Sequence, residues 1–538
     1  MDYVLESWDL DEEAVYEEIR TRCRFDIQLF AELFFPHYCK HDFNAFHLDV
    51  FAYYSEPKRA GRYVRAAPRG YAKSTITALI KPIHDACYGL ERFVVIVSNN
   101  QLQANAKLKD IRSEILFNNM LIDVYRVRFP RSVVGETEFT VHCGDNQTAF
   151  KAVGTGAQVR GIRVQEARPS KIICDDVEHS EEVENEELRS KYESWFFEDL
   201  CKLGDENTNI EFIGTVLHKE ALLSRLLINP SYDAKSYRAV LSWATRQDLW
   251  DKWTSIYSDI SNDARAKDAK EYFEQNKVEM MEGVNVLWPE KEPYYSLMIE
   301  LIEQGRRSFF KEKQGEPMAS SSRVFEKFHW YREEIRDGKM HIVYAPDSKG
   351  VQKSIPVDSL EKCFGVIDPA TGKKKAKNLG DFTCLLIGYK DPWGRLLVHR
   401  DWTRREPPAT WMRQIFDMHD HYKFERFGVE VNLYQELLLP NLTDERKRRE
   451  ERGGKIVKLG FYEILQTANK IERITALEPK VTHGWVLLNQ SLSQEFKSQL
   501  ENFPGTHDDC PDALEMLWGM AHNRYKVAGV AVNTQGGR

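Results

Sequence analysis

The chain has 538 residues, too many for one hydrophobic core, and a typical domain of about 150 residues sets an expectation of roughly two to four domains. A hydrophobic share of 42% and a charged share of 29% are those of a soluble globular protein, and the net charge of −8 does not favour non-specific nucleic-acid binding, so any DNA contact must come from local basic patches. The nine scattered cysteines form no C-x-x-C pair, which argues against a zinc ribbon or redox motif, and the lack of a long apolar run or a basic N-terminal region argues against membrane insertion or secretion.

In chain order, residues 1–60 are expected to be helical, with Phe25, Ile27, Phe30, Leu33 and Phe34 at helical spacing. A short apolar strand over 63–67 leads into Ala67-Pro68-Arg69-Gly70-Tyr71-Ala72-Lys73-Ser74-Thr75, and a helical run over 76–88 follows. A strand, a tight Gly-containing loop and Lys-Ser at a helix start make a triphosphate cradle. Backbone N–H groups and the helix N-terminus supply positive potential, Lys73 reaches the β- and γ-phosphates of ATP, and Ser74 holds Mg²⁺. The loop departs from the usual G-x-x-x-x-G-K-[ST]: Ala67 and Ala72 stand where the glycines belong, and alanine disfavours positive φ. Read without its surroundings, the same stretch is an ordinary strand–turn–helix with a solvated lysine.

A buried-strand signal over 92–98, a helix over 101–117, a β-rich section around 139–142, a strand over 171–174, a charged helix over 181–203 and a strand over 210–215 complete an alternation that predicts a parallel sheet covered on both faces. The strand at 171–174 runs into Asp175-Asp176-Val177-Glu178. Asp175 is the expected metal-side acid, and Asp176 or Glu178 the acid that polarises the attacking water; the bland alternative is a helix start enriched in acids. Glycines on both sides let the segment 154–163 project Arg160 toward a neighbour's nucleotide as an arginine finger, or leave it a solvated surface loop. Thr215 is placed to sense the γ-phosphate. Phe43, Phe46 and His47 either stack on adenine or belong to the core.

The region 220–315 reads as mostly helical, and the small, turn-rich stretch 316–322 as a linker. A second α/β section begins near 340, with strands over 363–367, 383–389 and 396–400, a helix over 410–421 and a strand over 427–431. Asp368 ends the first of these strands and Glu430 lies in the last, while Asp508, Asp509 and Asp512 cluster around Pro511, a residue suited to a first helical turn. Acids on two strands and at a closing helix can clamp two Mg²⁺ or Mn²⁺ ions about 3.5–4 Å apart for phosphodiester cleavage. Lys373, Lys374, Lys375 and Lys377 follow Asp368. A second basic run, Arg446, Lys447, Arg448, Arg449, Arg452 and Lys455, is interleaved with acids and reads more readily as a solvated helix.

Over roughly residues 40–525 the chain resembles the large terminase subunit of tailed bacteriophages. The carrying residues are the variant loop Pro68-Arg69-Gly70-Tyr71-Ala72-Lys73-Ser74-Thr75, Arg160-Gly161, Asp175-Asp176, Gly214-Thr215, Leu287-Trp288-Pro289-Glu290 and Asn469-Lys470-Ile471-Glu472-Arg473-Ile474. Asp176 departs from the glutamate usual there. The resemblance implies an α/β chain: an N-terminal P-loop (RecA-like, ASCE) ATPase domain followed by an RNase H-like nuclease domain. It implies ATP with Mg²⁺ in the first and Mg²⁺ or Mn²⁺ in the second, held by Asp368, Glu430 and members of the Asp508, Asp509 and Asp512 cluster. Arg69 matches an arginine of the family's ATP site, so either Arg69 or Arg160 is the finger. The implied partners are double-stranded DNA, a portal protein, a small terminase subunit and further copies of the chain in a pentamer, in the host cytoplasm rather than the mature virion.

The domain division expected is a helical N-terminal segment at 1–60, a P-loop ATPase domain with a helical subdomain at 61–317, a linker at 318–340, a nuclease domain at 341–525 and a flexible tail at 526–538. Two rival readings are a helicase–nuclease of repair or defence, which needs a second ATPase lobe, and a catalytically silent DNA-binding assembly protein.

Overall fold

The computed structural model describes residues 12–56, 60–129, 135–163, 167–319, 322–345, 352–369, 382–430, 445, 448–449, 451, 459, 461–466 and 468–523. The chain divides into two compact units: Met1–Trp243 with Gly283–Ile299 and Arg307–Ala319, and Ala244–Glu282 with Glu300–Arg306 and Ser320–Arg538.

The first unit is built on an eight-stranded sheet. Its strands are β1 (Arg62–Ala66), β2 (Phe93–Ser98), β3 (Val127–Arg128), β4 (Glu138–Cys143), β5 (Asn146–Gly154), β6 (Lys171–Asp175), β7 (Asn209–Gly214) and β8 (Asp233–Ser236), in the order β3-β4-β5-β2-β6-β7-β1-β8. The six strands from β5 to β8 in that order run parallel, and β4 and β3 add antiparallel at the edge. All six residues of β2, Phe-Val-Val-Ile-Val-Ser, are buried, as an apolar run covered on both faces requires. The loop strand β1 and the acid strand β6 are separated by β7 alone, the strand order of RecA-like P-loop ATPases. The helix Gln101–Phe117 turns Ala104, Leu108, Ile111 and Ile115 inward at spacings of three and four, and the Asn100 side chain caps its start by accepting from the Gln103 N–H.

Residues before β1 are helical as expected, over Glu12–Cys23, Ile27–Phe34 and Ala45–Tyr54, but Phe25 falls between helices and is exposed. The run expected over 76–88 starts as a π-helical stretch, Thr75–Ile80, before Lys81–Tyr88 settles into α geometry. The region 220–315 is less uniformly helical than its pattern implies: it holds β8 and a two-stranded ribbon of β9 (Val240–Ser242) and β10 (Asn285–Val286).

The second unit carries a nine-stranded sheet. Its strands are β11 (Trp330–Arg336), β12 (Lys339–Tyr344), β13 (Ser354–Pro356), β14 (Glu361–Asp368), β15 (Thr383–Lys390), β16 (Leu396–Arg404), β17 (Arg426–Glu430), β18 (Phe461–Ile464) and β19 (Val486–Asn489), in the order β13-β12-β11-β19-β16-β15-β14-β17-β18. Within it, β14, β15 and β16 form an antiparallel meander, and β17 and β18 add parallel beside β14. That five-strand order and direction is the RNase H-like arrangement.

Alternation along β14 feeds two cores. Phe364 and Val366 pack with the helix Asp509–Ala521, while Cys363 and Ile367 pack with Trp411, Met412, Ile415 and Phe416 of the helix Pro408–Tyr422. The Asp509–Ala521 helix is buried along its whole length, which fits a helix closing over the centre of a sheet. The stretch expected as a linker, 318–340, contains β11, so the second sheet starts earlier than its apolar pattern announces. The helical stretch Ala244–Glu282, expected with the ATPase domain, clusters with the second unit.

Candidate functional site

In the first unit, the C-terminal ends of β1, β6 and β7 border a cavity of about 740 Å³. Residues 69–75, Lys107, Asp176, Glu178 and Thr215 line it. Ligands of open parallel sheets sit at this end of the strands.

The loop after β1 is bent by Gly70 at φ +86° and Ala72 at φ +53°. Ala72 therefore accepts the left-handed conformation that glycine takes more cheaply, at a cost of about 1 kcal/mol. Three groups brace the bend. Lys291 donates to the Gly70 carbonyl. Lys313 donates to the Arg69 carbonyl at 3.3 Å and pairs with Glu292 at 2.7 Å. The buried His47 ring bonds the Tyr71 carbonyl at 2.9 Å.

Lys73 is buried, and its ammonium donates to the carbonyls of Ala67 (3.0 Å) and Pro68 (3.1 Å) and to Thr215 Oγ1 (2.9 Å). Burial pulls its pKa below the ordinary lysine value against the opposing pull of Asp176 and Asp175. Pro68 serves through this carbonyl and does not line the cavity. The Ser74 hydroxyl donates to Asp175 Oδ1 at 2.9 Å, which joins the two residues expected at Mg²⁺. Arg69, with a side chain 75% exposed, reaches Glu312 at 3.5 Å at the cavity edge.

The two acids after Asp175 separate. Both Glu178 oxygens accept backbone N–H groups, from Leu222 (2.7 Å) and Leu223 (3.0 Å), so Glu178 caps the helix Leu222–Leu227. Asp176, at φ +48°, faces the cavity. Enclosure by the protein and the adjacent Asp175 raise its pKa above the ordinary carboxylate value, with Lys73 and Lys107 opposing. Both candidates for activating water thus line the cavity, Glu178 with each oxygen on a backbone N–H.

Arg160 does not line the cavity of its own chain. It pairs with Asp199 at 2.6 Å and borders a separate cavity of about 380 Å³ with Arg163, Arg168 and Lys202. Of the two readings for Phe43, Phe46 and His47 the structure takes packing: Phe46 is fully buried, Phe43 packs edge-on against Phe51, and His47 is committed to Asn44 and Tyr71. The cavity wall carries Tyr38, His41 and Trp288 instead. Lys107 was not legible as a site residue, because a lysine within an amphipathic helix looks like any solvated one.

In the second unit, Asp368 and Glu430 lie one residue beyond the paired Ile367 and Val429, at matching ends of neighbouring parallel strands. Asp508, Asp509 and Asp512 occupy the start of the Asp509–Ala521 helix, where the helix dipole favours negative charge. Lys470 gathers three of these acids. Its ammonium is 2.8 Å from Asp508, 3.1 Å from Asp512 and 3.8 Å from Asp368. Arg473, one turn along, pairs with Asp512 at 3.1 Å and Glu515 at 2.6 Å.

Asp368 Oδ2 is buried without a hydrogen-bond partner. Burial raises the Asp368 pKa well above the ordinary range; Lys470 opposes this, and Asp512, Asp509 and Asp508 add to it. Among the described residues, no group of three or more His, Cys, Asp or Glu side chains is arranged to hold a metal ion. The convergence here is of carboxylates on an ammonium. Beside Asp508, His507 bonds Arg405 at 3.3 Å, and the Arg405 guanidinium lies 4.0 Å from the Phe382 ring centre.

Of the basic patches, Lys373, Lys374, Lys375, Lys377, Arg446, Lys447, Arg452 and Lys455 lie outside the described residues. Arg449 is tied to Asp417, Asp420 and Glu445 at 2.5–3.0 Å, as a clamp within the unit.

No family model matches the chain, and no curated protein matches it. Solved structures that it resembles include phage large terminases. The large terminase of the thermophilic bacteriophage D6E is 10% identical, with 89% of this chain and 99% of that chain covered and a TM-score of 0.42. The large terminase ATPase domain of Thermus phage P74-26 is 12% identical over 48% of this chain and 89% of that one, with a TM-score of 0.26. The large terminase nuclease of thermophilic phage G20c is 10% identical over 39% of this chain and all (100%) of that one, with a TM-score of 0.22. At these identities the likeness is one of fold. Among the described residues, no helix is long and apolar enough to cross a membrane.

Proposed function

We propose that this chain is the motor subunit of a viral DNA-packaging machine: it hydrolyses ATP to drive double-stranded DNA into a procapsid and cuts concatemeric DNA with a metal-dependent nuclease. The observation that carries the reading is the pairing, in one polypeptide, of a Lys73–Ser74–Asp175–Asp176 cradle at the end of a RecA-ordered sheet with an Asp368–Asp508–Asp512 convergence on an RNase H-ordered sheet.

In the first unit, Lys73 and Arg69 meet the phosphates, Ser74 and Asp175 would hold Mg²⁺, Thr215 ties Lys73 to β7, and Asp176 orients water. The donors fit the ion, being a hydroxyl and a carboxylate already 2.9 Å apart. Arg160, exposed and outside its own cavity, serves the nucleotide of an adjacent copy, in a pentamer on the portal.

In the second unit, Asp368, Glu430 and Asp512, with Asp508 or Asp509, would hold Mg²⁺ or Mn²⁺. The donors suit such ions in kind, being hard oxygens that include a buried Asp368 Oδ2 with no hydrogen bond, and an ion would take the place that the Lys470 ammonium now holds among them. When bound, two ions supply an activated water and charge stabilisation at the leaving oxygen. The chain's own residues aim the acids: Lys470 and Arg473 hold Asp512 from two sides. Site selection falls to a small terminase subunit. The helicase alternative needs a second ATPase lobe, whereas the second sheet is an antiparallel meander extended by parallel strands.

The test is a plasmid-cleavage assay with Mg²⁺ or Mn²⁺ and a DNA-stimulated ATPase assay on the full chain. Metal-dependent cutting together with ATP hydrolysis is expected. ATP hydrolysis without cutting under any divalent ion would overturn the nuclease assignment.

A further inference from the structure

Lys107 lies on the helix Gln101–Phe117, beside the apolar stripe that contains Ala104 and Leu108. From there its ammonium reaches the end of β6. It donates to the Asp175 main-chain carbonyl at 2.8 Å and forms an ion pair with Asp175 Oδ2. The other carboxylate oxygen, Oδ1, accepts the Ser74 hydroxyl at 2.9 Å, and the Asp175 carbonyl also accepts Ser98 Oγ at 3.1 Å.

Exposure divides this group. The Asp175 side chain is 0% exposed and does not line the cavity; Lys107, 18% exposed, and Ser74 both do. The acid expected on the metal side is therefore reached past its own two partners, one of which is a cation. A buried carboxylate with an ammonium on it is neutralised and held in place. A divalent ion approaching through Ser74 meets a charge of its own sign next to its ligand.

We propose that Lys107 is a positioning residue that holds Asp175 and sets the Mg²⁺ requirement of the nucleotide site, by sharing the carboxylate on which the metal depends. The proposal rests on the nucleotide reading above. Lys107 then couples the site to its metal: Asp175 keeps one conformation throughout, and Mg²⁺–nucleotide must outcompete or share with the ammonium.

The experiment follows binding of a fluorescent, non-hydrolysable ATP analogue to the full chain while Mg²⁺ is titrated. Lys107→Met and Lys107→Gln are expected to lower the half-saturating Mg²⁺ on the order of tenfold, because a like charge leaves the metal's neighbourhood. Lys107→Arg, which keeps the charge, should stay within about twofold of the parent. Lys107→Gln retains a hydrogen-bond donor for Asp175 and decides the matter alone should Lys107→Met fail to fold. A purely structural lysine would make the Mg²⁺ requirement rise, or leave it unchanged, in both neutral variants; either result overturns the proposal while the nucleotide site stands. A parent chain that binds no analogue at any Mg²⁺ overturns both.

Discussion

The loop around Lys73 and the acid cluster around Lys470 hold buried charge in opposite ways. In the cradle each charged group has a separate, short-range tether: Lys73 to two carbonyls and Thr215, Asp175 to Ser74 and Lys107, Glu178 to two backbone N–H groups. In the second unit Asp368, Asp508 and Asp512 share the Lys470 ammonium, and the buried Asp368 Oδ2 meets it at 3.8 Å without a hydrogen bond. The first arrangement is held by many separate tethers, local ones to the Ala67 and Pro68 carbonyls and long-range ones such as Lys73 to Thr215 and Ser74 to Asp175. The second gathers acids from a strand and a helix start on one shared cation, Lys470, with Arg473 as a further partner of Asp512. A site built the second way is expected to respond more strongly to its counter-ion and to added metal.

The largest effects separate the units. Lys73→Ala should reduce ATP hydrolysis on the order of a thousandfold and leave metal-dependent plasmid nicking at parental rates. Asp368→Asn should do the converse, abolishing cutting while the ATPase persists. Loss of both activities in either well-folded variant would break the comparison. Next in size, Arg160→Ala should lower ATPase on the order of a hundredfold or more in assembled motors alone. An equal loss in strictly monomeric protein would place the arginine's action within its own subunit.

A smaller change sharpens the contrast in tethering. Lys470→Met should destabilise the second unit by about 1–3 kcal/mol, since three acids lose their common partner in a half-buried setting. Mg²⁺ or Mn²⁺ should then raise the melting temperature of the variant more than that of the parent. An equal metal-induced shift in both proteins would mean that Lys470 and the metal do not address the same carboxylates.

A last effect is common to both units. Burial lowers His84 from the ordinary 6.5 to about 3 and His47 to about 4 in the first, and His399 and His483 to about 4 in the second. Each stays neutral in the folded chain where the unfolded chain is already protonated. Stability is therefore lost as pH falls from 6.5 toward the folded values, by at most about 1.4 kcal/mol per pH unit for each histidine. Melting followed from pH 7 to 5 should show both units losing stability together; a drop confined to one would assign the acid sensitivity elsewhere.

Local patterns in the sequence were enough for the parallel sheet and its cradle. Buried parallel strands are continuous apolar runs, so β2, β6 and β7 announce themselves, and the loop between β1 and its helix carries its chemistry in nine consecutive residues. Asp368 and Glu430 were legible for the same reason, each lying where an apolar strand runs out. Tertiary structure decided what no local pattern encodes. It committed Glu178 to a helix start, sent Phe46 and His47 into the packing beneath the loop, and folded β11 out of a stretch that reads as linker. It also brought Lys107 onto Asp175 and Lys470 among three acids. Strand and loop identity follow from hydrophobic periodicity over a few neighbours, whereas the partner of a long flexible cation is set by which distant segments the sheet order places within its reach.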